Sequence, residues 1–353
     1  MMLSSDAIRR FTLKRIAAQA GVSNATVDRA LHGRGRVHYQ TQQRIQQALT
    51  ELAEQENQGL ALGRTLYIDV VMQAPQRFSQ QVRKALAAEL ASLAPFRISP
   101  RYHLFESVTL PDMVRTLQRC RQSGSHGVIL KAPDLPDITT AVNDLVTQHQ
   151  LPVLTLVTDL PQSQRTHYIG MDNRAAGRTA AYLMMQWLGS SHNHQPAIAV
   201  VMSSSQFHGE EARDMGFRGW LRERYSRVYV VDIAGGQGIY HGTYERMCAA
   251  LKEHPALCAV YSVGGGNGAI LDAFRDSRRT LLAFIGHDLD DENRRLLSDE
   301  RLHAVIDHDL RADLRQACLR LLVDQCYLHS SAIADLPLTS PIQVMTPFSL
   351  PPG

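Results

Sequence analysis

Apolar residues recur through the first sixty positions at the spacing of short helices. Leu13, Ile16, Ala17 and Ala20 fall on one helical face, and Gly21-Val22-Ser23 then breaks the period. Ala25, Val27, Ala30 and Leu31 mark a second short helix over 24–31. Ile45, Ala48, Leu49 and Leu52 mark a third, beginning near Thr41. Two short helices joined by a Gly-containing turn predict a helix-turn-helix, whose second helix is shaped to lie in a DNA major groove. The polar, Gly-bearing stretch EQENQGLALGR that follows reads as a linker.

Beyond it the pattern changes. Apolar runs at 66–72, 101–105, 127–132, 152–158, 167–171, 197–202, 228–234, 257–263, 281–286, 302–307 and 342–345 read as strands. Helical patterns over 79–93, 111–122, 136–149, 173–188, 209–225, 241–253, 267–276, 290–298 and 311–329 separate most of them. Strands that are apolar throughout and alternate with helices predict parallel sheets covered on both faces. Eleven strands exceed one ordinary sheet, so two doubly wound α/β subdomains are expected. In such sheets ligands bind beyond the carboxyl ends of the strands, and two facing sheets enclose a cleft there. That rule points to the loops 73–78, 131–134, 158–161, 172–173, 203–209, 264–267, 287–288 and 308–309.

Charge sharpens the contrast between the two regions. Residues 1–58 hold eight Lys/Arg and five Asp/Glu, a balance of +3 that equals the net charge of the whole chain. The remaining residues therefore balance to zero. A basic head on a neutral body is the electrostatic footprint of a phosphate-binding module. A small amphipathic helical domain that binds protein is the alternative for the head. Apolar content of 44% and charged content of 20% are those of a globular protein, with no apolar run of the length that spans a membrane. The N-terminus MMLSSDAIRRF lacks the apolar stretch of a signal peptide. The five cysteines (Cys120, Cys248, Cys258, Cys318 and Cys326) are scattered in apolar patterns without CxxC spacing. Reduced thiols, no disulfide, no metal site and a cytoplasmic location are expected.

The stretch TLKRIAAQAGVSNATVDRALHGRGRV, followed by TQQRIQQAL, resembles the DNA-binding head of the LacI family of bacterial repressors. The body resembles the same family, in its branch with a ribose-binding-protein-like (periplasmic-binding-protein type I) sensor. The matching segments are YIGMDNRAAGRTAAYLM (168–184), GEEARDMGF (209–217), FIGHDLDDENRRLL (284–297) and AVIDHDLRADLRQACLRLL (304–322). The resemblance implies a helix-turn-helix domain at 1–57, a linker or hinge at 58–65 and an effector-binding and dimerisation domain at 66–353. The two subdomains of that last domain interleave, roughly 66–160 with 309–337 and 161–306 with 340–353. It further implies a homodimer, or a tetramer, that reads a pseudo-palindromic operator on double-stranded DNA and is controlled by a small polar effector, a sugar or polyol.

Carried over onto this chain, the base-reading helix spans Ser23 to His32, with Asn24, Ala25 and Arg29 at base-contacting positions. Arg29 can donate two hydrogen bonds to guanine, Asn24 can read adenine, and Ala25 offers a methyl contact to thymine. Thr12, Ser23, Thr26, His38 and Thr41 match phosphate-holding positions, where Ser23 and Thr26 serve equally as helix caps. Asp28 stands where the family has a small hydroxyl residue. For the effector, Arg213 and Asp288 match a sugar-binding arginine and carboxylate, a pair suited to vicinal hydroxyls. His308 matches a pocket-lining polar position. Asp172 is a ligand contact or an N-cap, Asp159 and Phe78 sit in cleft loops, and Asn267 closes the 264–267 loop. The linker lacks the family's Asn-Tyr-x-Pro-Asn-type segment, leaving Leu60 and Leu62 as candidate minor-groove wedges. Ser262 to Asn267 replaces an Asn-Asp ligand pair with glycines, which admits a bulkier ligand or lets backbone N–H groups approach an anionic one.

Two rival readings use parts of the chain. Gly264-Gly265-Gly266-Asn267-Gly268-Ala269 fits GxGxxA between strand and helix, as in an NAD(P)-dependent enzyme, but no catalytic set surrounds it. Ser203-Ser204-Ser205 lacks a nucleophile elbow, and His192-Asn193-His194 lies in a polar loop. An exported solute-binding protein explains the body and leaves the head unused. The expectation is a non-enzymatic, cofactor-free transcriptional repressor without a membrane partner.

Overall fold

A computed structural model describes residues 11–34, 37–62, 64–189, 196–225 and 227–350, without the side chains of 54–55 and 57–62. The chain forms two compact units, Met1–Leu66 with Leu93–Ile98 and Leu319–Asp335, and Tyr67–Ser92 with Ser99–Cys318 and Leu336–Gly353.

The head is built from three helices, α1 (Leu13–Ala20), α2 (Asn24–His32) and α3 (Tyr39–Leu62). Thr12 caps α1 by accepting from the Arg15 N–H, and Ser23 caps α2 by accepting from the Thr26 N–H. Gly21 ends α1 at φ 62°, the left-handed conformation that makes the turn between the helices tight. Arg44 of α3 donates to the carbonyls of Ala20 and Gly21 at 2.8 and 3.3 Å, placing a cation on the C-terminus of α1. Phe11, Ile16, Ala17, Ala20, Val27, Ile45, Ala48, Leu49 and Leu52 form the core. The third helix starts two residues before Thr41 and continues to Leu62, so most of the stretch read as a linker at 58–65 is helical. Leu60 and Leu62, the proposed wedges, have side chains outside the described set, as does the whole 192–194 loop.

The second unit holds the body's two sheets, apart from the first two residues of β1 and of β2. β1 (Thr65–Gln73), β2 (Arg97–Phe105), β3 (Gly127–Lys131), β4 (Val153–Leu156) and β5 (His167–Ile169) form a five-stranded sheet in the order β2-β1-β3-β4-β5. Helices α4 (Gln76–Glu89), α5 (Leu110–Gln122) and α6 (Pro136–Asn143) connect its strands, α6 running on into one π-helical turn over Asp144–Gln148. The second sheet takes β6 (Ala197–Val201), β7 (Tyr229–Ile233), β8 (Leu257–Ser262), β9 (Ala283–His287), β10 (Ala304–Asp307) and β11 (Gln343–Met345) in the order β11-β10-β9-β8-β6-β7. Pairing is parallel from β7 to β10, and β11 closes the edge antiparallel. Its helices are α7 (Asn173–Leu188), α8 (His208–Arg224), α9 (Tyr240–Glu253), α10 (Asn267–Asp276) and α11 (Asp291–Ser298). α12 (Leu310–Asp324) returns to the first lobe, where Arg311 pairs with Glu89 of α4 at 2.7 Å.

One subdomain boundary differs from expectation. β5 lies beyond residue 160 yet pairs with β4, Thr155 against Tyr168, so the chain leaves the first sheet after Ile169 and not at 161. Its three residues complete the sheet edge before the chain crosses. Ser340 ties two crossovers together, donating its N–H to the Gly170 carbonyl at 2.9 Å.

The close approach of α7 and α8 depends on two glycines. A Cβ at Gly177 would meet the Arg213 carbonyl oxygen at 1.9 Å, and one at Gly216 the Arg174 carbonyl oxygen at 2.2 Å. This crossing fixes the backbone that carries Arg213.

Candidate functional site

The carboxyl ends of the strands converge on a cavity of about 180 Å³ between the two sheets. That is space for on the order of a dozen waters, the scale of a small metabolite. β1 and α4 contribute Gln73, Arg77 and Phe78, and β3 contributes Lys131. From the second lobe come Ser203, Phe207, Glu210 and Arg213 around β6 and α8, Gly264-Gly265 after β8, and His287, Asp288 and Asp290 after β9.

Arg213 is 3% exposed. Its Nε donates to Asn173 Oδ1 at 2.7 Å and its Nη1 to the Val263 carbonyl at 3.3 Å, while Nη2 has no partner. Asp288 faces the same cavity, and its Oδ1 is also without a hydrogen bond. Its backbone sits at φ 63°, a left-handed conformation unusual for a side-chain-bearing residue and concentrated at functional sites. Phe78 and Phe207 bring one ring from each lobe, and the Lys131 ammonium lies 4.3 Å from the Phe207 centroid and 5.8 Å from that of Phe78. Burial pushes the Lys131 pKa down; Glu210 and Asp288 oppose that shift and Arg213 adds to it. Arg77 pairs with Asp290 at 2.9 Å and donates to the Gly238 carbonyl at 2.7 Å, holding the two lobes across the cavity mouth.

The glycine cluster has a steric origin here. A Cβ at Gly264 would meet the Ser203 nitrogen at 2.1 Å, and Gly265, at φ 88°, would place one 1.7 Å from Arg77 Nη2. The loop is tight because other parts of the site press on it, which accounts for the residues that resemble a dinucleotide motif.

Of the seven effector positions named from sequence, Phe78, Arg213 and Asp288 line the cavity, and four do not. Asp159 accepts from Arg165 at Oδ1 and, at 2.6 Å, at Oδ2, and from Thr155 at 2.8 Å. Burial acts to raise its pKa, and those bonds overcome it to hold the carboxyl below its usual range. Asp172 caps α7 through the Ala175 N–H at 2.9 Å. Asn267 is buried at the start of α10 and donates to Asn293 Oδ1 at 2.7 Å. His308 lies behind Asp288, its Nδ1 2.5 Å from Asp313 Oδ2 and its Nε2 3.9 Å from Asp288 Oδ1. Each was placed by its loop, and each turns its side chain to a protein partner. Glu210 was missed because it lies inside α8, where a carboxylate reads as a solvated helix position. It is buried and accepts from the Ser203 N–H at 2.7 Å and hydroxyl at 2.5 Å.

On the head, Asn24, Ala25 and Arg29 are exposed on α2 and Val27 is buried beneath them. Arg29 Nε donates to the Ala25 carbonyl at 3.1 Å. His32 meets Asp28 at 2.9 Å, so the unexpected acid is paired within its own helix. Ser23 and Thr26 hydroxyls lie 2.8 Å apart. Thr12 and His38 are exposed at the starts of α1 and α3, and Thr41 is half-buried, its N–H donating to the His38 carbonyl at 2.9 Å.

Among the described residues no helix is long and apolar enough to cross a membrane. Residues 68–326 match the periplasmic binding protein domain, and residues 12–53 match the bacterial regulatory proteins of the lacI family. The chain is similar to the HTH-type transcriptional regulator GalS of Salmonella typhimurium, 25% identical over 286 residues that span 78% of this chain and 80% of that one. Its fold is that of GanP, a glucose-galactose binding protein from Geobacillus stearothermophilus (TM-score 0.68, 20% identity, 82% of this chain and 99% of the other). It is also that of AraP, an arabinose binding protein from the same species (TM-score 0.63, 20% identity, 80% and 97%).

Proposed function

The chain belongs to the lacI family of bacterial regulatory proteins, a DNA-binding transcription regulator carrying a periplasmic binding protein domain, and on that premise we propose that it is a sugar- or polyol-responsive repressor. The matched families are those of a regulator and a binding domain, not of an enzyme. It acts in the cytoplasm as a homodimer whose two heads read the half-sites of a pseudo-palindromic operator. Asn24, Ala25 and Arg29 read bases from the helix that ends at His32, while Thr12, Ser23, Thr26, His38 and Thr41 hold the backbone.

The observation that carries the ligand reading is the pair of buried polar atoms without hydrogen bonds, Arg213 Nη2 and Asp288 Oδ1, on two residues that line the cavity. Buried polar atoms are normally paired, because leaving one unpaired costs about 1–3 kcal/mol. A hydroxylated ligand answers both, accepting from the guanidinium and donating to the carboxylate, with an apolar face on Phe78 or Phe207. A further support for this reading is that two solved proteins of this fold are a glucose-galactose binding protein and an arabinose binding protein. Ligand preference for one closure state of the cleft shifts the population that binds operator. A thermal-shift screen of the full chain against sugars and polyols tests this. A hit is expected to raise the midpoint, with about 2.7 kcal/mol of stabilisation at a hundredfold excess over Kd. Stabilisation by NAD alone would overturn it.

A further inference from the structure

Most cations around the cleft are already paired. Arg77 holds Asp290, and Arg165 holds Asp159. Lys131 and Arg213 differ. Both line the cavity, they come from opposite lobes, and among the described residues neither has a carboxylate oxygen within 4.0 Å. Lys131 makes one long bond, 3.4 Å to the Gln73 carbonyl, and otherwise rests on aromatic rings. Arg213 spends two nitrogens on neutral acceptors and leaves Nη2 unpartnered at 3% exposure.

The acids of the cavity are accounted for differently. Asp290 faces Arg77 and caps α11. Glu106 accepts from the Gln76 N–H at 2.9 Å at the start of α4. Glu210 takes both hydrogen bonds of Ser203. Among these four acids only Asp288 keeps a buried oxygen without a hydrogen bond, His308 Nε2 standing 3.9 Å away. Where the glycine cluster meets the cavity, Gly264 and Gly265 present backbone and no side chain. Apart from Glu106 and Glu210, which accept from neutral donors, the charged groups of the cavity without a hydrogen-bonded counter-charge are thus two cations and one carboxylate, beside the unpartnered Nδ1 of His287. Two like charges facing one buried space destabilise each other until an anion lies between them.

Building on the reading of this cleft as the effector site, we propose that the effector is an anionic polyol, its acid group held between Lys131 and Arg213 and a hydroxyl donating to Asp288. Charge-assisted bonds from both lobes to one acid group also draw the cleft shut, so the acid is the part of the ligand that favours closure.

Isothermal titration of the full chain tests this with D-glucuronate, D-galacturonate, D-gluconate and D-galactonate. The comparison ligands are D-glucose, D-galactose and their 6-phosphates. At least one acid or phosphate is expected to bind tenfold or more tighter than its neutral parent, with the margin shrinking as salt rises. Carboxylates ahead of phosphates, or the reverse, identifies the acid group. In Lys131→Met, and in Lys131→Gln as a second variant, the ratio of acid to parent affinity should fall towards one. Neutral sugars binding as tightly as every anion would overturn the anionic ligand and leave the sugar-responsive reading standing. So would a ratio unchanged in both variants. Silence from all these ligands would overturn both.

Discussion

Gly177→Ala tests the link between packing and the cleft. The added methyl would stand 1.9 Å from the Arg213 carbonyl oxygen and 2.9 Å from the Phe217 nitrogen, all rigid backbone of α8. Relief requires α7 and α8 to part by roughly 1 Å, an overpacking strain of about 1–3 kcal/mol. At roughly 2–4 °C per kcal/mol for a domain of this size, the midpoint falls by several degrees. The same movement carries Arg213 away from Asn173 and from the Val263 carbonyl, the latter bond already at 3.3 Å. Losing one charge-assisted hydrogen bond to ligand costs about 1.5–3 kcal/mol, or ten- to a hundredfold in affinity. The chain's two tryptophans, Trp187 on α7 and Trp220 on α8, make urea unfolding by fluorescence a direct report on this crossing. Wild-type stability in the variant would refute the steric argument. Lost stability with unchanged ligand affinity would refute the link from the crossing to Arg213.

Arg29→Ala is expected to cost about 1–3 kcal/mol of discrimination at one operator position, read by selection from random DNA; an unchanged preference removes Arg29 from the reading set. Ser23→Ala removes the cap of α2 and should lower head stability by about 1 kcal/mol in thermal unfolding, whereas an unaltered midpoint would show the cap is dispensable. Burial disfavours charge on His308, yet the hydrogen bond to Asp313 and the carboxylates of Asp313, Asp288 and Asp307 outweigh it and raise its pKa. Its contribution to stability is therefore complete below the ordinary value of 6.5 and is lost as pH rises through the folded value. Burial, with the charges of Arg213 and His308, acts oppositely on His287, lowering its pKa and favouring the native state above 6.5. His308→Asn should thus cost more at pH 5.5 than at pH 8.5 in denaturant titrations, and equal losses would contradict the assignment.

The central strands were legible because they are apolar on both faces, as strands of covered parallel sheets must be, whereas β2, β5, β7 and β11 carry polar or half-exposed positions and showed only as apolar runs that include polar residues. β5 was assigned to the wrong sheet because a three-residue strand carries no mark of which edge it joins. α3 outran its reading for a related reason: the polar positions past Glu54 lack apolar periodicity, but the helix formers Gln, Glu, Leu and Ala carry the helix through Gly59 to Leu62. Strand ends located the cleft, with Phe78 and Asp288 in its loops, and the family resemblance supplied Arg213, which lies inside α8. Loop position does not fix side-chain direction, so Asp159 and His308 turned to Arg165 and Asp313. Asp172 and Asn267 likewise went to the Ala175 N–H and to Asn293. The unspent state of Arg213 and Lys131 becomes visible only when every competing carboxylate has a place.

The most direct test of a ligand-responsive operator binder is fluorescence anisotropy of a selected operator with and without the ligand that stabilises the protein. The ligand is expected to change operator affinity by roughly 5- to 150-fold, the usual range of allosteric coupling. Arg213→Ala should abolish that change while still binding operator in the absence of ligand. Identical operator affinity with and without saturating ligand in the wild-type chain would contradict the account.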